Sequence, residues 1–111
     1  HPGIADLNRK LGKAAQTASA DLLSQLERVY WWTMEFGALV EEGSPRAFGA
    51  GLLSSFGEIR RLEEGAELLD FNVEEMALCD YDPTDYQPAL FVASSWEEFD
   101  GNLRAWLKKT V

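Results

Sequence analysis

The sequence predicts a mainly α-helical unit with a few short β-strands. Three observations carry this. A long apolar-rich segment from Ala20 to Phe36 follows a good N-cap, Ser19, with Asp21 in the first turn where the helix dipole favours an acid. Three further cap signals, Ser55-Phe56-Gly57-Glu58, Asn72-Val73-Glu74-Glu75 and Ser95-Trp96-Glu97-Glu98, open helices downstream. The runs that read as strands, Ala38–Glu42, Arg46–Phe48 and Leu90–Ala93, are all short.

The elements follow in order. Ile4, Leu7, Leu11 and Ala14 fall at helical spacing, and Gly12 weakens the end of that segment. Thr17 to Ser19 is a polar break. The first half of the next helix is amphipathic, with Leu22, Leu23, Leu26 and Val29 against Ser24, Gln25, Glu27 and Arg28. Its second half, with Tyr30, Trp31, Trp32, Met34 and Phe36, is apolar on nearly every face, as in a buried helix. Gly37 is suited to a left-handed cap beyond it. Glu42-Gly43-Ser44-Pro45 reads as a turn between two strands, and Gly49-Ala50-Gly51 as an irregular link. The helix opened by Ser55 ends near Gly65, and that opened by Asn72 near Leu78. Tyr81 to Pro88 is an Asp- and Pro-rich loop. The last helix buries Phe99, Leu103, Trp106 and Leu107 and ends on Lys108 and Lys109.

The chain of 111 residues is one unit, 46% hydrophobic and with four Trp, enough for a core. Ten basic residues face 19 acidic ones, a net charge of −9, which argues against nucleic acid or an anionic membrane as partner. The acidic excess reads as solubility, or in part as cation binding. Cys79 is the single cysteine, so no internal disulfide forms and a reducing cytoplasm is the expectation. No apolar run reaches the ~20 residues of a membrane span, and no signal peptide is visible. The chain opens at His1-Pro2-Gly3 without an initiator Met, as a processed protein or a piece of a longer one would.

Glu35 is the most informative residue. It sits among Trp31, Trp32, Met34, Phe36 and Leu39, and an unpaired buried carboxylate costs several kcal/mol. Composition alone leaves a salt bridge, a solvent-reaching helix end and a bound cation all open. Ser54 and Ser55 follow two glycines at a helix start. They read as caps, or as hydroxyls beside a ligand that Gly51 lets approach. Trp31 and Phe36 read as core or as pocket wall. Cys79 reads as a small core residue. His1, the only histidine, is terminal and reads as exposed.

The order of residues adds a resemblance. Tyr30-Trp31-Trp32-Thr33-Met34-Glu35-Phe36-Gly37 resembles the Tyr-Trp-aromatic-Thr-Val-Glu-Phe-Gly motif of the pterin-dependent aromatic amino acid hydroxylases. Gly49-Ala50-Gly51-Leu52-Leu53-Ser54-Ser55-Phe56-Gly57-Glu58 is similar to a second motif of that family, without a gap. Thr84-Asp85-Tyr86-Gln87-Pro88, Leu90-Phe91-Val92 and the stretch from Ser95 to Leu103 resemble the end of its catalytic domain.

The resemblance implies the C-terminal portion of that catalytic fold, and a set of roles. Glu35 becomes the carboxylate ligand of a non-haem Fe(II) held by two His and one Glu. Trp31, Phe36, Gly51, Ser54 and Ser55 line the amino-acid pocket, with Ser54 also placed to hydrogen-bond an iron-ligating His. Tyr30 lies close to the tetrahydropterin. The implied reaction is ring hydroxylation of an aromatic amino acid with dioxygen. Trp31 is what the phenylalanine and tyrosine enzymes of the family carry where the tryptophan enzymes have Phe, and the apolar Pro83 leans toward phenylalanine, although Asp82 and Asp85 flank it.

The resemblance also sets limits. Its His-x-x-x-x-His pair lies upstream, and His1-Pro2-Gly3-Ile4-Ala5 resembles a stretch several residues after it, so His1 takes a non-ligand place. The upstream half of the catalytic domain, with that pair and most pterin contacts, is absent from this sequence and is the expected partner. Isolated activity is therefore not expected. The chain ends soon after Lys109, without the heptad-bearing tail of the tetrameric animal enzymes, the pattern of a bacterial-type monomer. The alternative is a truncated, non-enzymatic relative serving as a binding or oligomerisation module.

Overall fold

The computed structural model describes residues 2–110. His1 lies outside them. The described residues form six α-helices and four strands in this order: α1 (Pro2–Gln16), α2 (Ala20–Tyr30), β1 (Ala38–Glu41), β2 (Ser44–Ala47), α3 (Ala50–Ser54), α4 (Phe56–Glu64), β3 (Glu67–Asp70), α5 (Val73–Met76), β4 (Ala89–Ala93) and α6 (Trp96–Thr110). The mainly helical expectation holds.

The caps form as the sequence dictates. The Ser19, Ser55, Asn72 and Ser95 side chains accept from the backbone N–H three residues on, at Leu22, Glu58, Glu75 and Glu98. Each satisfies a donor that the first turn leaves orphaned.

The strands form one sheet of order β2-β1-β4-β3. β1 and β2 are an antiparallel hairpin in register Ala38↔Ala47 to Glu41↔Ser44. β4 runs parallel to β1 (Ala38↔Val92, Leu39↔Ala93) and to β3 (Glu67↔Ala89 to Asp70↔Val92). Successive side chains of β4 point to opposite faces. Phe91 and Ala93 enter the main core with Leu7, Leu11, Leu26, Val29, Met76, Phe99 and Leu103. Leu90 packs on the other face with Ala38, Leu52 and Leu62. Helices α1, α2, α5 and α6 therefore cover one face, and α3 and α4 the other. Arg104 ties α1 to α6, donating to Asp6 at 2.7 Å and to Asp100 at 2.8 Å.

Several local readings change. The second helix does not continue as α to Phe36. A π-helical turn occupies Trp31–Glu35, closed by Phe36 N–H donating to the Trp31 carbonyl at 2.9 Å. Inside it Thr33 donates its hydroxyl to the Val29 carbonyl at 2.7 Å. Gly37 does not take a left-handed cap; among described residues only Glu42 (φ 54°) and Gly43 (φ 80°) have positive φ. Gly37 is needed for closeness instead, because a Cβ there would lie 2.5 Å from the Thr33 carbonyl oxygen. The hairpin turn is two residues, Glu42-Gly43, and its paired positive φ values make it type I′, matching the twist of the strands. Ser44 and Pro45 are consequently strand residues. Gly49 to Gly51 is not an irregular link: Gly49 is the extended N-cap of α3, and Ala50 and Gly51 are its first two residues. Strand β3 was not expected, since its apolar pair Leu68 and Leu69 gives no alternating pattern.

Candidate functional site

The π-turn presents Trp31 and Glu35 one turn apart, so both face the same groove. That groove, about 510 Å³, is lined by Leu11 and Ala15 of α1, Leu26 and Tyr30 of α2, Trp31, Glu35 and Tyr81. π-turns recur at functional sites because the extra residue swings the following side chains around the helix axis. Here it leaves Glu35 half-buried, beneath an apolar wall.

The aromatic wall is fixed from several sides. The Trp31 ring stacks on Tyr81 at 4.3 Å and 9°, and Phe36 lies tilted against it at 4.6 Å. The Trp31 Nε1–H donates to Gln87 Oε1 at 3.3 Å. The next indole, Trp32, donates to the Cys79 carbonyl at 3.0 Å. Arg28 reaches Asp80 at 3.0 Å and the Ala77 carbonyl at 3.2 Å. Together these bonds stitch residues 77–87 onto α2 and the π-turn. Cys79 is half-buried there, and burial pushes its thiol pKa up.

Glycines bring the second motif against the first. A Cβ on Gly49 would overlap the Glu35 carbonyl group. A Cβ on Gly51 would sit 3.0 Å from both Glu35 Oε2 and the Phe36 ring. Glu35, Phe36 and Gly51 are thus in direct register. Phe36 and Ser55 line an adjoining hollow of about 330 Å³ with Glu58, Pro83, Thr84, Asp85 and Tyr86. Ser54 is exposed at the end of α3, lines neither hollow, and donates its hydroxyl to the Gly51 carbonyl at 3.0 Å. Ser55 is engaged as the cap of α4. Tyr30 stands at the rim of the groove, 36% exposed.

Three residues enter the site that the sequence did not mark for it: Tyr81, Gln87 and Glu58. Glu58 does not return its side chain to Ser55 as a capping box would. It turns inward, and its Oε1 accepts from the Gln87 N–H at 3.0 Å. Its other oxygen is buried without a hydrogen-bond partner, and burial pushes the carboxyl pKa up. Gln87 and Glu58 are 29 residues apart, and no local pattern links them.

The chemistry of Glu35 follows. Among the described residues no hydrogen bond or ion pair engages its carboxylate. A salt bridge is therefore not what compensates it. An unpaired carboxylate is a hard oxygen donor of the kind ferrous iron accepts alongside imidazoles. Among the described residues no three His, Cys, Asp or Glu groups are placed to hold a metal. Glu35 fits one position of such a centre and no more.

Fold and site together define a helix-rich unit with the half-buried Glu35 carboxylate unpaired in an aromatic-walled groove. The family model of biopterin-dependent aromatic amino acid hydroxylases matches residues 1–111, and the chain belongs to that family. It is 37% identical over 104 residues to phenylalanine-4-hydroxylase of Caenorhabditis elegans, covering 93% of this chain and 23% of that protein. It is 36% identical over 107 residues to tyrosine 3-monooxygenase of Drosophila melanogaster, covering 96% of this chain and 18% of that protein. The crystal structure of Chromobacterium violaceum phenylalanine hydroxylase with bound Fe(III) superposes with a TM-score of 0.84 at 28% identity, over 96% of this chain and 41% of that one. The chain thus spans about a fifth of the length of these curated relatives and two-fifths of the crystallised enzyme.

Proposed function

We propose that this chain supplies Glu35 as the carboxylate ligand of a non-haem Fe(II) in a tetrahydropterin-dependent monooxygenase that converts phenylalanine to tyrosine. The observation that carries this is the unpaired Glu35 carboxylate in the groove walled by Trp31 and Tyr81. Chromobacterium violaceum phenylalanine hydroxylase, similar to this chain, holds iron and phenylalanine in one structure and iron with 7,8-dihydrobiopterin in another. When bound, the metal supplies oxygen activation, with the pterin as reductant.

The chain's own residues bind, orient and exclude water. Trp31 in the groove and Phe36 in the adjoining hollow offer an aromatic ring apolar surfaces on either side of their contact. Gly51 leaves the space beside Glu35 Oε2 free of a side chain. The Ser54 hydroxyl, donating to Gly51, keeps its lone pairs free to accept from a ligating imidazole. Ser55 forms the wall beside Phe36, and Tyr30 meets the pterin at the rim. The two remaining ligands come from a His-x-x-x-x-His segment in the upstream half of the catalytic domain. Exposed Leu53 (57%) and Phe56 (78%), flanking Ser54 and Ser55, offer that half an apolar docking edge. Pro83 at the mouth of the hollow beside Phe36 favours phenylalanine over tyrosine as substrate. Cys79, the only cysteine, suits a reducing cytoplasm.

The test is metal analysis and product formation. The natural full-length protein is expected to hold iron and form tyrosine from phenylalanine with tetrahydropterin. Glu35→Gln should lower iron affinity about 100-fold while the fold persists. Iron retained in that variant would sink the ligand assignment. Residues 1–111 alone should neither bind iron nor turn over. An iron-free, inactive full-length protein would favour the binding or oligomerisation module instead.

A further inference from the structure

Gln87 is 2% exposed, and every polar atom it has is engaged. Its Oε1 accepts from Trp31 Nε1–H at 3.3 Å. Its Nε2 donates to the carbonyls of Asp82 at 2.9 Å and Asp85 at 3.1 Å. Its backbone N–H donates to Glu58, and its carbonyl accepts from Arg61 at 3.4 Å. One amide group therefore spans the indole that walls the groove and the loop that begins with the ring stacked on it, Tyr81.

We propose that Gln87 is a positioning residue that sets ring-size selectivity, by locking the Trp31 indole to the loop of residues 81–86. This deepens the reading of the groove as an aromatic amino acid site and rests on it. The geometry is specific. The amide oxygen fixes the in-plane rotation of Trp31, which stacking on Tyr81 leaves free to slide. The amide nitrogen bridges two carbonyls three residues apart and holds the loop in a bend over the adjoining hollow. A residue without both a donor and an acceptor cannot do both. Burial makes substitution expensive for any group that leaves a partner unpaired. Gln87 does not touch the reacting atoms; it acts through Trp31 and Tyr81.

Gln87→Met keeps the length and removes every side-chain bond. In the natural full-length protein it should raise KM for phenylalanine about fivefold, the factor that loss of one ordinary hydrogen bond gives. It should also narrow the preference for phenylalanine over tryptophan, with kcat for phenylalanine little changed. A preference equal to wild type in the folded variant overturns the proposal. Gln87→Glu keeps the acceptor for Trp31 and loses both loop donors, so it should loosen selectivity as well if Gln87→Met fails to fold; unchanged selectivity there overturns the proposal equally. A second readout needs no turnover. The emission spectrum of the protein minus that of its Trp31→Phe variant isolates the Trp31 indole. Gln87→Met, measured against the same variant carrying Trp31→Phe, should give a shifted difference spectrum because the indole N–H loses its amide acceptor, and an unshifted spectrum overturns the lock. If wild type hydroxylates no aromatic amino acid yet the shift appears, the function reading fails and the lock stands.

Discussion

Gly49 packs its Cα directly against the Glu35 carbonyl, with no space for a side chain between them. A Cβ there would overlap that carbonyl and lie 2.6 Å from the Phe36 nitrogen. The contact is backbone on backbone, so no rotamer can relieve it. This is how α3 is seated on the π-turn, and it decides where Glu35 and Gly51 meet.

Gly49→Ala should therefore cost about 3 kcal/mol or more, at the upper end of what overpacking costs where neighbours can shift. Gly101→Ala is the control. Gly101 lies within α6, exposed, with nothing within 4 Å of its added Cβ. It should gain about 0.5–1 kcal/mol from helix entropy. Urea denaturation of both variants measures the pair, and equal effects would contradict the packing argument.

The hairpin turn holds Glu42 at φ 54°, a left-handed conformation that costs an ordinary residue about 1–2 kcal/mol. Glu42→Asn creates the Asn-Gly pair that type I′ turns prefer. It should stabilise the protein by about 1 kcal/mol, seen as a rise in the urea midpoint without a change in slope. A lower midpoint would mean that the Glu42 side chain contributes something unseen.

Glu58 makes a prediction about pH. Burial raises its pKa in the folded state above the ordinary 4.5, against a smaller lowering by the Gln87 N–H. Below 4.5 the carboxyl is protonated in both states and the stability it permits is fully present. Above 4.5 the unfolded chain releases the proton that the folded chain retains, so this stability is lost as pH rises through the folded value. Glu58→Gln removes the titration. The stability of that variant relative to wild type should rise as pH climbs from the ordinary carboxylate value through the raised folded one and level off above it, and a flat difference would refute the burial effect.

The helix starts were legible because capping is local: Ser19, Ser55, Asn72 and Ser95 each need only the next three residues. What was not legible depended on distant chain. Strand β3 has two leucines and exists because β4 offers it a parallel edge. The π-turn needs Gly37 and Gly49 to let other backbone close around it. Of the site, Glu35 stood out because a carboxylate amid aromatics is physically costly, whereas Gln87 is an ordinary loop residue until residues 56 positions apart are brought together. Glu58 satisfied a local rule in the sequence and broke it in the fold, since a buried N–H at Gln87 competes for the same carboxylate.

The parallel pairing of β1 with β4 has a consequence for the order of synthesis. Residues 31–41 leave the ribosome well before Val92 and Ala93, the partners of Ala38 and Leu39 across the sheet, more than fifty residues later. Pairing across so long a loop is slow compared with helix formation. The turn that carries Glu35 therefore spends the elongation of fifty residues, several seconds at ~5–20 residues per second, with its apolar face unclaimed. During that interval Trp32, Met34 and Leu39 lack Phe91 and Ala93, with which they pack in the finished core, and a chain cut short before residue 89 would carry β1 and β3 without the strand that joins them.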